Sequence, residues 1–377
     1  MRVVLTGGGT AGHINSALAV FEQIKKHKDD DVVVYIGRAG GMEEDLVKRA
    51  GGVRFRGIQV SGLSRDFSLA SLKKNHKAIK EYIKTIRESK NILKVFAPDV
   101  IFATGGYVSA PVVREALSLK IKVVMHEQNE KPSLTTKLFG NRVNALLLPS
   151  NNCKSKFKRK VNRILRVVGN PVNSEFGAYS KQEAREKLGW TQDEFCIVSY
   201  GGSLGAERIN RAVADLLLSY KEMNKIRLIH ATGAKNYNSF IEYLKSHNFD
   251  FEKHNNIIIQ EYIYNMPCVI NAADIVISRA GAISIAELQA AGKPAIFIPS
   301  PNVTGNHQFF NAQVLVENGA GIMLDDRTLN GNVLVKTIDE LLNSPETLSK
   351  MAERIKLMHI KDSAELIYSI LKEVANK

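Results

Sequence analysis

The stretch LTGGGTAGHINSALAV, residues 5–20, runs from an apolar segment through three consecutive glycines into residues whose apolar members recur at helical spacing. Ile14, Ala17, Leu18, Phe21 and Ile24 fall on one stripe, so the spacing predicts an amphipathic helix packed on a sheet. Strand, glycine turn and helix form half of a parallel βαβ unit, and the pattern continues. Apolar runs at RVVLT (2–6), DVVVYIG (31–37), VRFRGIQV (53–60), DVIFAT (99–104), KVVMHE (122–127) and ALLLPS (145–150) alternate with helical segments. After GNPV (169–172) the pattern restarts with FCIVSYGGS (195–203), IRLIHATG (226–233), NIIIQEYI (256–263), DIVISRAG (274–281) and PAIFIPS (294–300). The expected fold is α/β, with two consecutive Rossmann-like doubly wound domains. We expect domains at 1–168 and 169–360, and a C-terminal helix at 361–377 that can return to the first. Such sheets bind ligands beyond the carboxyl ends of their strands, so an interdomain cleft between those edges is the expected site.

A chain of 377 residues, 44% hydrophobic and 24% charged, is long enough for two domains with proper cores. No apolar run approaches the ~18 residues of a membrane span, and the stretch before the first glycines is too short for a secretory signal, so a cytoplasmic location is expected. Cys153, Cys196 and Cys268 lack metal-ligand spacing and read as reduced core thiols. The net charge of +14 is uneven: residues 1–170 hold 31 Lys+Arg against 14 Asp+Glu, and the remainder 21 against 24. A basic amino-terminal half attracts polyanions, whether nucleic acid, an anionic bilayer or phosphorylated substrates. No zinc finger, RNA-binding signature or basic zipper is present, so nucleic acid is not an expected partner. The basic run KSKFKRK (154–160) reads as a solvated connection.

GGGTAG satisfies G-x-G-x-x-G at Gly7, Gly9 and Gly12, a dinucleotide fingerprint when read alone. That fingerprint wants an acidic residue closing the second strand, where this chain has Tyr35-Ile36-Gly37-Arg38. An arginine there suits the 2′-phosphate of NADP, which keeps an NADP-dependent oxidoreductase as a competing reading. Glycine turns recur, however, in ATGGYVS (103–109), with Gly105, Gly106 and Tyr107, and in YGGSLGAERIN (200–210). One such turn is usually only a tight connection; three favour phosphate or sugar binding by backbone amides and helix N-termini. In SRAGAISIAELQAAGKPAIFIP (278–299), Glu287 falls in the first turns of a helix, where a carboxylate can accept two hydrogen bonds from a ribose diol. The plainer reading is a surface residue favoured by the helix dipole. His307 and Gln308 in PNVTGNHQFFNA (301–312) would sit across the cleft, though a loop histidine is usually just solvated.

Taken together, GGGTAGH, VSGLSR, ATGGYVSAPVV, HEQN, VVGNPV, GGSLGAERIN, SRAGAISIAE and PAIFIP with HQFFNA resemble, in order and spacing, the MurG-type peptidoglycan glycosyltransferases. The resemblance covers almost the whole chain. It implies a GT-B fold, an acceptor-binding and membrane-associating first domain, and a second domain that binds UDP-N-acetylglucosamine. The implied reaction is inverting transfer of N-acetylglucosamine to lipid I, the undecaprenyl-diphosphate-linked muramyl-pentapeptide, giving lipid II. By position it puts Ser203 near the diphosphate, Ile263 and Ala282, Ile283, Ser284, Ile285 and Ala286 around uridine, Glu287 on the ribose, and Gln308 on the sugar hydroxyls. Asn129 and the Thr10-Ala11-Gly12 turn would face the reaction centre, with the Gly105-Gly106-Tyr107 loop on the acceptor side. His13, at a helix start, is the first candidate base and Glu127 the second.

The chain departs from the family pattern at Ala11, where a second glycine is common, and at Asn15-Ser16, where an aromatic-proline pair is common. Asn173 stands where many members carry an arginine, and Ser133 replaces a smaller residue or glycine, with Pro132 before it. No cofactor and no metal are expected: Asp29-Asp30-Asp31 matches D-x-D but reads as a solvated turn opposite the ligand edge. The expected location is the cytoplasmic face of the bacterial membrane, peripherally bound, where the enzyme can associate with other cell-wall synthesis proteins. Segment 67–96 mixes Leu69, Leu72, Ile79, Ile83 and Ile86 with nine Lys/Arg, counting Arg65 just before it. It reads as a sheet-covering helix with a wet outer face, part of which can dock on anionic lipid. Other readings are another UDP-sugar transferase or a UDP-N-acetylglucosamine 2-epimerase of the same fold, and a non-catalytic nucleotide-sugar sensor. Intact HEQN and GGYVSAP loops argue against the sensor, which needs no acceptor side.

Overall fold

The computed structural model describes residues 1–27, 30–61, 69–202, 205–219 and 226–377, with side chains described for all of these except 69–80, 159 and 160. Two compact units emerge, Met1–Val172 with Ile360–Lys377, and Asn173–His359. The first holds strands β1 (Arg2–Thr6), β2 (Val32–Arg38), β3 (Arg54–Ile58), β4 (Val100–Ala103), β5 (Lys122–His126), β6 (Ala145–Leu148) and β7 (Leu165–Val167). Its helices are α1 (Ala11–Lys26), α2 (Met42–Ala50), α3 (Leu69–Phe96), α4 (Gly106–Ser118), α5 (Leu134–Phe139) and α6 (Asn151–Lys154). In the second lie α7 (Lys181–Leu188), β8 (Phe195–Tyr200), α8 (Glu207–Ser219), β9 (Ile226–Ala231), α9 (Tyr237–Ser246), β10 (Ile257–Gln260), α10 (Met266–Ala272) and β11 (Ile275–Ser278). It continues with α11 (Ala282–Ala291), β12 (Ala295–Phe297), α12 (His307–Glu317), β13 (Gly321–Met323), α13 (Gly331–Leu342) and α14 (Pro345–Leu357), and α15 (Ser363–Asn376) rejoins the first unit.

The first sheet runs β3-β2-β1-β4-β5-β6-β7, parallel throughout. Successive residues of β1 feed opposite faces: Val3 and Leu5 pack with Ile14, Ala17, Phe21 and Ile24 of α1, while Val4 packs with Val108, Val112 and Val113 of α4. A sheet covered on both faces explains why its strands are continuous apolar runs. The last helix completes the α1 face, placing Ile367, Tyr368, Leu371 and Val374 in the same cluster. The second sheet runs β10-β9-β8-β11-β12-β13, also parallel. In each sheet the strand order reverses beside the first strand, between β1 and β4 and between β8 and β11. The loops after those four strands therefore leave the sheets at the switch points, where open α/β sheets bind ligands.

Three corrections follow from this packing. Asp31 is not solvated: its carboxylate, 5% exposed, meets the Met1 amino group at 2.8 Å and accepts from the Tyr368 hydroxyl at 3.0 Å, because β2 begins against α15. Asp30 is exposed and Asp29 lies outside the described residues. β7 and β13, three residues each, add edge strands that the apolar pattern does not reveal. In α3 the buried face of the described part is Thr85, Ser89 and Leu93, whereas Ile83 is 53% exposed. The cysteines are free and buried, as expected.

Candidate functional site

At the first switch point the loop between β1 and α1 is held residue by residue. The Tyr35 hydroxyl donates to the Gly7 carbonyl at 2.9 Å, the Gly8 amide to the Gly105 carbonyl at 3.3 Å, and the Gly9 amide to Glu43 Oε1 at 2.7 Å. Gly9, at φ +85°, lies under Tyr107, whose ring a Cβ would meet at 2.7 Å. Gly106, at φ +78°, backs onto Gly8 so closely that a Cβ would overlap the Gly8 carbonyl oxygen. Only glycine serves there. The anion-cradle expectation is thus corrected for Gly8 and Gly9, whose amides bond to the protein itself. Further on, Thr10 is the N-cap at the positive end of the 16-residue helix α1 and makes no side-chain cap bond.

His13 is fixed to the neighbouring loop twice. Its Nδ1 lies 2.7 Å from the Thr104 carbonyl, and the Thr104 hydroxyl donates to the His13 carbonyl at 2.7 Å. A carbonyl oxygen only accepts, so Nδ1 carries the proton in that bond, and Nε2 is the nitrogen on the opposite side of the ring. The HEQN turn leans on the same helix start, with Gln128 Nε2 donating to the Gly12 carbonyl at 3.3 Å. Glu127 is buried and accepts four hydrogen bonds, from the Asn129 amide (3.0 Å), Asn129 Nδ2 (3.2 Å), the Ser133 amide (2.7 Å) and the Thr136 hydroxyl (2.6 Å). Those donors occupy both oxygens, which makes Glu127 the organiser of the 127–136 turn. Behind it His126 donates through Nε2 to the Gly169 carbonyl at 2.9 Å, and burial pushes its imidazole down to about 4. Ser133 caps α5 by accepting from the Thr136 amide. One edge of the sheet thus gathers Thr10–His13, Gly105–Tyr107, Glu127 and Asn129.

The second unit repeats the arrangement. Gly205, at φ +75°, closes the loop after β8 against the Thr232 carbonyl; Ser203 lies outside the described residues. After β11, Gly281 leads into α11 with no side-chain cap. Ile283, Ile285 and Ala286 point into the core, while Ala282 and Ser284 remain half-buried. Glu287 lies in the second turn of this helix, one turn deeper than a dipole-favoured surface position, and burial pushes its carboxyl up to about 8. Ile263, 1% exposed, sits between exposed Tyr262 and Tyr264, whose rings lie 5.1 Å apart. Gln308 Oε1 accepts from the Ser300 amide at 2.8 Å, which fixes the side-chain amide against the loop after β12. His307 Nδ1 meets the Thr304 carbonyl at 2.9 Å, so it is tied rather than loose in solvent. Asn311 ties α12 to the loop after β11 through the Ala280 carbonyl at 3.2 Å. Asn173 accepts from the Glu175 amide at 2.9 Å in a local turn. Glu43 and Thr104 are the contributors that motif reading misses; an acidic first helical turn after Gly40-Gly41 is the available signal for Glu43. No cluster able to hold a metal occurs among the described residues.

Two doubly wound parallel sheets, each with glycine turns at its switch point, define the class, a GT-B glycosyltransferase. Residues 3–148 match the glycosyltransferase family 28 N-terminal domain and residues 196–367 the glycosyltransferase family 28 C-terminal domain. The UDP-N-acetylglucosamine–N-acetylmuramyl-(pentapeptide) pyrophosphoryl-undecaprenol N-acetylglucosamine transferase of Acetivibrio thermocellus is 38% identical over 99% of this chain and 98% of its own. The enzyme of the same name from Leuconostoc citreum is 38% identical over 100% of both chains. The chain belongs to this family, the MurG transferases. Its fold matches a crystal structure of Acinetobacter baumannii MurG with TM-score 0.74 at 23% identity, covering 99% of both chains. It also matches a UDP-GlcNAc 2-epimerase from Neisseria meningitidis with TM-score 0.64 at 16% identity, over 99% of this chain and 100% of that one.

Proposed function

We infer that this protein transfers N-acetylglucosamine from UDP-N-acetylglucosamine to lipid I, forming lipid II for peptidoglycan synthesis. The observation that carries the inference is end-to-end identity of 38% with transferases of that name. An epimerase shares the fold but not that identity. The second unit is read as the donor side: Ile263 and Ala282–Ala286 beside uridine, Glu287 accepting from the ribose hydroxyls, the loop containing Ser203 at the diphosphate and the Gln308 amide at the sugar. On the acceptor side stand the α1 start at Thr10–Gly12, the Gly105–Tyr107 loop and Asn129, which Glu127 holds in place. The acceptor hydroxyl attacks the anomeric carbon, the bond to UDP breaks with inversion, and the proton passes to His13 Nε2. Backbone amides at helix starts stabilise the charge developing on UDP without proton transfer. Asn173 has no guanidinium, so any contact from that position is a neutral one.

No helix among the described residues is long and apolar enough to cross a membrane. We place the protein peripherally on the anionic cytoplasmic face of the membrane, where lipid I resides and where other cell-wall enzymes can bind it. Leu134 and Leu138, 68% and 56% exposed, accompany exposed Lys131 and Lys137, and Ile83 accompanies exposed Lys84 and Arg87. Apolar side chains ringed by lysines suit an anionic interface. The deciding assay is transfer of label from radiolabelled UDP-N-acetylglucosamine to a short-chain lipid I analogue; labelled lipid II is expected, and its absence with folded protein overturns the reading. Sedimentation with vesicles should rise with anionic lipid content and fall with salt.

A further inference from the structure

The Gly9 amide of the first glycine loop bonds to a buried glutamate 34 residues away, Glu43, and the surroundings of that carboxylate are shaped for it. Its side chain runs between Gly8, Gly37 and Gly41: a Cβ on Gly37 would lie 2.9 Å from Glu43 Cβ, and one on Gly8 or Gly41 would overlap the carboxylate oxygens. Only 2% of the residue is exposed. Its place in the first turn of α2 sets the negative charge at the favourable end of that helix. Next to it Glu44 accepts from the Gly40 amide at 2.9 Å, which steadies the turn that delivers Glu43.

We propose that Glu43 is a positioning residue for transfer: an internal acceptor that occupies the Gly9 amide and so holds the glycine loop, the start of α1 and His13 in working register. The loop it fixes carries Tyr107 on Gly9 and touches the following loop through Gly8 and Gly105, the same loop to which His13 is bonded. A diphosphate is accordingly not held by Gly8 and Gly9, and the acceptor meets the residues from Thr10 onward. Reach matters more than charge here, since what the loop requires is an acceptor 2.7 Å from the Gly9 nitrogen.

The proposal rests on the transferase reading for its catalytic consequence, and the experiment separates the two. Full-length parent, E43Q, E43D and E43A are compared by hydrogen–deuterium exchange of the segment spanning residues 7–13 and by transfer kinetics with a lipid I analogue. E43Q keeps a carbonyl oxygen at the same reach; E43D keeps the charge but is one methylene too short. We expect parental exchange and near-parental transfer in E43Q. In E43D and E43A we expect faster exchange and a fall of about 100-fold in kcat, the scale of a small misplacement at a reacting centre, with the KM for UDP-N-acetylglucosamine within twofold of parent. Parental exchange in folded E43D overturns the clamp. Equal losses in E43Q and E43D, or a loss expressed in the donor KM, overturn the positioning role. A folded parent that shows no transfer refutes the transferase reading, while the exchange comparison still decides the clamp.

Discussion

His13 and Thr104 are bonded to each other in both directions, ring nitrogen to carbonyl and hydroxyl to carbonyl, each at 2.7 Å. The pair joins the loop after β1 to the loop after β4 and fixes both the tautomer and the direction of the imidazole. His13→Ala should lower kcat by roughly 10²–10⁴-fold, the usual worth of a positioned base, and leave UDP affinity within twofold. Steady-state kinetics beside a UDP titration check this, and a loss confined to UDP binding would remove His13 from the chemistry.

Glu127 has a different prediction because four donors converge on it. Glu127→Gln turns one oxygen into an NH₂ that faces donors, which costs roughly 1–3 kcal/mol as groups lose their acceptor. Thermal melts should record that loss, and turnover should fall with it at every pH. A selective loss of the acidic limb of the pH profile, with stability unchanged, would instead identify Glu127 as the base.

Glu287 couples stability to donor binding. Its carboxyl keeps a proton to about 8 in the fold, whereas the unfolded chain ionises near the ordinary value of 4.5. The unfolded state thus binds fewer protons between those values, and stability falls as pH rises from about 4.5 to about 8, then levels off. Glu287→Gln should stabilise the unliganded protein by about 1 kcal/mol or more at pH 8, yet abolish measurable UDP binding. Ribose hydroxyls donate to the ionised form, so parental UDP affinity should strengthen as pH rises from 7 toward 8. Calorimetric titrations and melts across that range test both statements.

Gly106→Ala should be severe. The added methyl would overlap the Gly8 carbonyl and demand φ +78° of an alanine, a cost of about 1–3 kcal/mol before any loop movement. Transfer should drop at least as far as in His13→Ala, measured with the same lipid I analogue.

Transfer should persist in EDTA. In the sole D-x-D run of the sequence, both oxygens of Asp31 are already bonded, to Met1 and Tyr368. Activity that EDTA removes and Mg²⁺ restores would reverse this expectation.

Much of the architecture was legible because parallel strands buried on both faces leave uninterrupted apolar runs such as VVVYI and IVSY. The edge strands at residues 165–167 and 321–323 are too short to show any period. At the site, what the sequence displays is chain-local: glycines that take positive φ, the histidine after them, and the glutamate on α11. What it does not display is long-range bonding. Nothing in GGGTAG announces that Gly9 will bond to a carboxylate 34 positions on, nor that Glu127 will be saturated by its own turn. Asp31 looked like one of three loop aspartates, but its partners are the Met1 amino group and Tyr368 of the last helix, both remote in sequence from its turn or from any motif.

That return has a consequence for biosynthesis. Ile367, Tyr368, Leu371 and Val374 complete the α1 face of the first unit, so that face is fully covered only once those late residues have cleared the ribosome. The first unit is therefore closed last, after the whole of the second unit has been made. Even a short frameshift near the carboxyl terminus would strike the unit that was synthesised first.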